Sequence, residues 1–255
     1  MLAPESLART YDPPKYADPA EQLADYQRVL AYQARNPDHG RTRIGQRFEL
    51  PPSRVRGWIN GGMPDAVRGV KTARDHGWLD ATLDSHMGDG FAILAVATYA
   101  CGGINSNHWP AWNPAHPAIA TLVRHALVVL GVGSTTRHAE DAGRPTEIIP
   151  GANAAVLGRV LRALGVPRDF SHIASLPDWI FECARGTRQA GGLVFACERT
   201  VAHDHSDVLI VQMRQRGPEY RAGVARLMRT LTDEEIRIGE TTISIMPAAR
   251  TQLPL

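Results

Sequence analysis

The sequence predicts an α+β protein in two parts: a wholly helical N-terminal unit, then a larger domain in which helices and paired strands alternate. Three observations predict this. Up to about residue 82, apolar residues recur at helical spacing, as in Leu23, Tyr26 and Leu30. From Asp89 onward, helical stretches are followed by short strand-like runs, and the order helix, two strands, helix, two strands is written twice, about a hundred residues apart. The charge is also unevenly spread. Residues 35–74 hold nine Lys and Arg against three acids, so that window is +6 and the rest of the +2 chain is −4.

Composition narrows the class. The chain has 255 residues and a hydrophobic fraction of 44%, ample for a packed core. Its longest apolar run, Phe91 to Ala100, is about half the ~20 residues that span a bilayer, so no membrane partner is expected. The opening MLAPESLARTYDPPKYADP mixes acids and prolines and is not a secretory signal. Cys101, Cys183 and Cys197 are three, without a CxxC spacing, which argues against a disulfide framework and a structural zinc site and makes a reducing cytoplasm the expected compartment.

Residues 1–17, rich in proline and charge, are expected to form a flexible arm. A helix then runs from Asp18 or Pro19 to about Arg35 and is broken by Asn36-Pro37-Asp38-His39-Gly40. The stretch RTRIGQRFELPPSRVRGWING, Arg41 to Gly61, has its apolar residues at Ile44, Phe48, Leu50, Val55, Trp58 and Ile59. Two short helices broken at Leu50-Pro51-Pro52 would bury that set, because proline lacks an amide donor and restricts the residue before it. Val55, Trp58 and Ile59 then share one face of the second helix, and Asn60-Gly61-Gly62 stops it. This is the pattern of a helix-turn-helix with its second helix presented to DNA; an ordinary helical hairpin with solvated arginines is the plain alternative. Pro64 to Leu79 forms a further helix with Val67, Val70, Ala73 and Trp78 inside and Arg68, Lys71 and Arg74 outside. Residues 18–82 thus make a helical unit of about the size of a small DNA-binding domain, for which double-stranded DNA is the expected partner on the helix-turn-helix reading. Arg41, Arg43, Ser53, Arg54, Arg56 and Asn60 are its candidate contacts, and Lys71 and Arg74 its candidate phosphate contacts.

Beyond it, Phe91–Ala100 is apolar all round and must be buried on every side. Ile104 to Trp112 reads as an extended aromatic segment in which Trp109 and Trp112 face either a DNA-side loop or the core. Pro117–Leu130 is an amphipathic helix, Ser134–Glu140 and Pro145–Ile149 a hairpin, Asn153–Leu164 a helix, and Leu176–Phe181 a short helix or turn. The order then recurs. Arg188–Cys197 is an apolar segment, Thr200–Asp204 and Asp207–Arg214 are strands, Pro218–Leu231 is a helix, and Ile236–Met246 is a hairpin. The two halves are expected at 83–183 and 184–248, with a tail at 249–255.

The repeat, and above all LGRVLRALGVPRDFSHIASLPDWIFE from Leu157 to Glu182, resembles the LAGLIDADG homing endonucleases. In archaeal and intein-borne members a helix ending in LGVP leads to LPEWI and the second signature helix. Leu164-Gly165-Val166-Pro167 and Leu176-Pro177-Asp178-Trp179-Ile180 stand in those places. SRVRGWING followed by PDAVRGVKTARDHGWLD is similar to the helix-turn-helix fused ahead of such domains. The resemblance implies two signature helices packed through small residues. Each would end in an acid that helps hold divalent metals for phosphodiester hydrolysis, with two sheets forming a saddle over the duplex.

By position the first acid falls at Cys101 and the second at Glu198, beside Arg199 where glycine is usual. Magnesium gains little from a thiol. Cleavage is therefore expected to be lost or severely weakened, leaving a DNA-binding regulator that needs no cofactor. The inactive domain would add DNA contacts or a homodimer surface. The alternative is an active, site-specific endonuclease with Glu198 as catalytic acid and Mg2+ as cofactor. Asp89 is expected to cap the first signature helix. His203-Asp204-His205 with Asp207 is weighed as a metal cluster against a polar turn between strands, and the turn is preferred.

Overall fold

The computed structural model describes residues 1–13, 16–168, 175–203, 206–213, 216–233 and 235–250. It is mixed α and β, with two four-stranded antiparallel sheets. The chain divides into two compact units, Leu2–Asp80 and the residues from Ala81 onward.

The first unit holds α1 (Pro4–Ala8), α2 (Pro19–Arg35), α3 (Arg41–Phe48), α4 (Pro52–Ile59) and α5 (Asp65–Asp75). The start of the expected arm is instead the helix α1, which buries Leu7 and Ala8 and packs on α2 and α5. A five-residue helix is too short to announce itself by periodicity, and the apolar contact it makes is tertiary. The helix α2 starts where expected, with the Asp18 carboxylate accepting from the Ala20 amide at 2.9 Å. Every other helix of the unit packs on α2.

The turn between α3 and α4 is tight. Glu49 takes a left-handed conformation at φ 54°, and the Leu50 amide donates to the Gly45 carbonyl at 2.9 Å. A Cβ at Gly45 would lie 2.6 Å from the Leu50 carbonyl oxygen, so the chain can double back here only over glycine. Ile44, Leu50, Val55 and Trp58 are buried as the spacing predicts, while Phe48 and Ile59 are half-buried.

The second unit begins with α6 (His86–Cys101), β1 (Gly102–Ile104), β2 (Pro110–Trp112), α7 (Pro117–Val129), β3 (Ser134–Arg137) and β4 (Glu147–Pro150). It continues with α8 (Ala154–Ala163), α9 (Trp179–Glu182), α10 (Arg185–Arg199), β5 (Thr200–His203), β6 (Ser206–Gln212), α11 (Pro218–Met228), β7 (Ile236–Ile238), β8 (Thr242–Ile245) and α12 (Pro247–Arg250). One sheet runs β1-β2-β4-β3 and the other β5-β6-β8-β7. The segment expected to be simply extended, Ile104 to Trp112, is a strand-turn-strand, with Gly102 opposite Trp112.

The helix α6 is buried over nearly its whole length and packs on α7 and α10. Its N-terminus is capped by Ser85, whose hydroxyl accepts from the Gly88 amide at 3.1 Å, rather than by Asp89. Asp89 instead accepts a hydrogen bond from the Thr187 hydroxyl on α10. Serine has the backbone position and reach of a cap, whereas Asp89 lies a full turn inside the helix. The helix α10 comes close to α11: a Cβ at Gly192 would sit 2.5 Å from the Leu227 carbonyl oxygen. Trp112 is fully buried and donates its indole N–H to Thr98 at 3.0 Å, while Trp109 is 48% exposed. Among the described residues, no helix is long and apolar enough to cross a membrane.

Candidate nucleic-acid interface

The basic block of the first unit separates into two groups once partners are assigned. Five of its side chains are committed inside the unit. Arg47 lies over the Tyr32 ring at 5.2 Å, and Arg35 donates to the Ala31 carbonyl of its own helix. Arg68 pairs with Asp65 at 3.4 Å and Lys71 with Asp75 at 2.5 Å. Arg54 stacks over Tyr16 at 4.8 Å and donates to its hydroxyl at 2.9 Å. Arg41, Arg43, Arg56 and Arg74 have no such partner among the described residues, and all four are exposed.

The candidate contacts therefore do not form one set. Arg41 and Arg43 occupy the first turn of α3, which has no acid and no side-chain cap at Gly40. Ser53, Arg56 and Asn60 are exposed on α4, on the side away from Val55 and Trp58. Arg54, predicted as a contact, is instead half-buried against Tyr16. Lys71 and Arg74 lie on α5, which packs on α1 and α2.

The Arg54 arrangement continues inward. The Tyr16 hydroxyl donates to Asp25 at 2.9 Å, and Asp25 pairs with Arg28 at 2.6 Å. Burial, with Asp25 beside it, pushes the Tyr16 phenol up to about 12. A raised phenol favours the folded state fully below the unfolded value near 10. As pH rises from there toward 12, the unfolded chain ionises and the folded one does not. Melting temperature of this unit is expected to fall across that window, and Tyr16→Phe should flatten the fall. An unchanged alkaline profile in Tyr16→Phe would show that the phenol is not the group responsible. Nothing in the spacing of Tyr16, Asp25 and Arg54 signals this network, because it joins a loop to two helices.

In the second unit the two positions that the resemblance expects to be acidic lie at the ends of α6 and α10. Cys101 is buried, and burial followed by the nearby Glu198 pushes its thiol up to about 12. It stays protonated near neutrality and offers no oxygen. The Glu198 carboxylate accepts from the Ala115 amide at 2.8 Å and from the His116 amide at 3.0 Å. His116 is the N-cap of α7, so the one acid is used as an anion at a helix N-terminus, tying α10 to α7. Magnesium needs several oxygen ligands in near-octahedral geometry, and a protonated thiol beside an engaged carboxylate does not fit it.

Among the described residues there is no group of three or more His, Cys, Asp or Glu placed to hold a metal ion. Within the His203–His205 cluster, Asp204 and His205 lie outside the described residues. Glu198→Gln keeps the shape but halves the clamp. It is expected to cost about 0.3–1 kcal/mol, seen as a lower melting temperature for the second unit.

The outward sheet surfaces carry little surplus positive charge among the described residues. In the first sheet Gly103 lies opposite Ala111 and Thr135 opposite Ile149, and Arg137 is paired with Glu147 at 2.6 Å. In the second, Val201, Ile210, Ser244 and Arg237 lie across one row, and Arg237 is paired with Glu235 at 2.8 Å. The unpaired cationic groups named above belong to the first unit. No protein-family model matches this chain, and no curated protein matches it.

Proposed function

We propose that this protein binds double-stranded DNA through α3 and α4, with α4 entering the major groove and the second domain serving as a catalytically inactive scaffold of the LAGLIDADG endonuclease type. The observation that carries the reading is the exposed polar face of α4, with Ser53, Arg56 and Asn60 outside and Val55 and Trp58 locked inside. Arg41 and Arg43 add positive charge to the first turn of α3, where the helix dipole makes it unfavourable unless an anion is bound. Phosphate is that anion in a DNA complex. Arg74 is a further phosphate contact.

Support for the scaffold comes from the repeated order α6-β1-β2-α7-β3-β4 and α10-β5-β6-α11-β7-β8, with matching strand orders in the two sheets. Support for inactivity comes from Cys101 and from the engagement of Glu198 by the Ala115 and His116 amides.

The test is selection of bound duplexes from a random library, followed by gel-shift titration of the best duplex at increasing salt. A selected consensus is expected, with affinity falling steeply as salt rises, since each neutralised phosphate releases a counterion. No enrichment over input would remove the DNA-reading assignment. Incubation of the same duplex with magnesium or manganese is expected to leave it intact. Cutting that disappears in Glu198→Gln would instead establish the endonuclease.

A further inference from the structure

Of the four glycines between Arg41 and Gly62, three have internal reasons to be glycine. Gly45 makes room for the Leu50 carbonyl, and a Cβ at Gly62 would lie 2.7 Å from the Gly57 carbonyl oxygen. Gly61 has a φ of +89°, where other residues are strained. Gly57 has none of these. It sits inside α4 with ordinary helical backbone, and a Cβ built on it meets nothing within 4 Å. Glycine is the poorest helix former after proline, so a short helix is weakened at its middle with no return from within the fold.

Position decides what the return is. Ser53, Arg56, Gly57 and Asn60 are spaced i, i+3, i+4 and i+7, and all four are exposed. Gly57 is therefore a notch in the middle of the stripe that the proposed function turns toward DNA. A bare Cα offers neither donor nor acceptor beyond the backbone, whose Gly57 carbonyl already accepts from the Gly62 amide at 2.8 Å. The floor of the notch can make only an apolar contact. The major groove has one apolar group, the C5-methyl of thymine. Arg56 and Asn60 beside the notch suit the hydrogen-bonding edges of neighbouring bases.

We infer that Gly57 receives the C5-methyl of one thymine in the recognised site, so that α4 specifies a T·A pair there by shape. The inference rests on the DNA-reading assignment, and its test separates the two. Full-length wild type and Gly57→Ala are titrated against the selected duplex and against a series in which each dT is replaced singly by dU, which removes only the methyl.

Wild type is expected to lose about fourfold in affinity at one dT→dU position, the value of one buried methyl. Gly57→Ala should melt at a higher temperature, because alanine favours the helix. It should nevertheless bind the dT duplex about tenfold more weakly, through overpacking. It should recover most of that loss on the dU duplex at the same position, where the methyl has moved from DNA to protein. Equal binding by both proteins to every duplex overturns the inference, as does a Gly57→Ala loss that no dU substitution relieves. Failure of wild type to bind any selected duplex removes the DNA-reading assignment itself.

Discussion

Arg56→Ala is expected to lower affinity for the selected duplex by about 1–3 kcal/mol and to relax specificity at one or two adjacent base pairs. The size follows from its place. Arg56 projects from the exposed side of α4, and no carboxylate or ring of the described residues holds it. Its guanidinium is free to donate two parallel hydrogen bonds to a guanine edge, a geometry lysine cannot copy.

Two controls sharpen the result. Arg54→Ala, two residues away, should lower the melting temperature by releasing Tyr16 and should change the affinity of the folded protein less. Arg74→Ala should weaken binding to all sequences alike and reduce the salt slope by about one. Equal affinity of wild type and Arg56→Ala across the selected pool would place the readout elsewhere. The measurement is a competition gel shift with the consensus and its single-base variants.

Trp58→Ala is expected to unfold the first unit or leave it marginal, with loss of about 3–5 kcal/mol read from chemical or thermal unfolding. The indole is buried and meets Tyr26 of α2 edge-on, with ring centroids 5.6 Å apart. It is the main side chain that sets α4 on α2, because the other buried residue of α4, Val55, is much smaller. A unit of this size has a total stability of roughly 4–12 kcal/mol, so the loss is a large share of it. DNA binding should vanish with the fold, and Trp58→Phe should restore most of both. A well-folded Trp58→Ala unit with poor DNA binding would mean that the indole faces the duplex instead.

Burial, reinforced by Arg159, Arg162 and Arg168, lowers His108 to about 4. Its Nδ1 faces the Arg162 guanidinium at 3.3 Å, and its backbone is held at φ 62°. These cations surround a turn whose charge the linear sequence disperses over sixty residues, from His108 to Arg168.

Local sequence was enough to specify the helical unit with its proline-broken pair of helices, the all-round apolar α6, and most of the helices and strands that follow. Each rests on local rules: periodicity for Leu23, Tyr26 and Leu30, the missing amide and restricted backbone at Leu50-Pro51-Pro52, and continuous burial for Phe91 to Ala100. Which charged groups remain available depends on long-range packing instead. Arg54 and Arg56 are the same residue type two positions apart, yet a 100° step per residue puts one against Tyr16 and the other in solvent. Trp109 and Trp112, indistinguishable as a pair in the sequence, end exposed and buried because Trp109 lies in the turn that precedes β2, whereas Trp112 lies on β2 and donates to Thr98 of α6. The Glu198 carboxylate meets two amides some eighty residues back, at Ala115 and His116. Local chemistry sets what each segment becomes; the fate of a charge depends on which distant groups packing brings within about 3 Å of it.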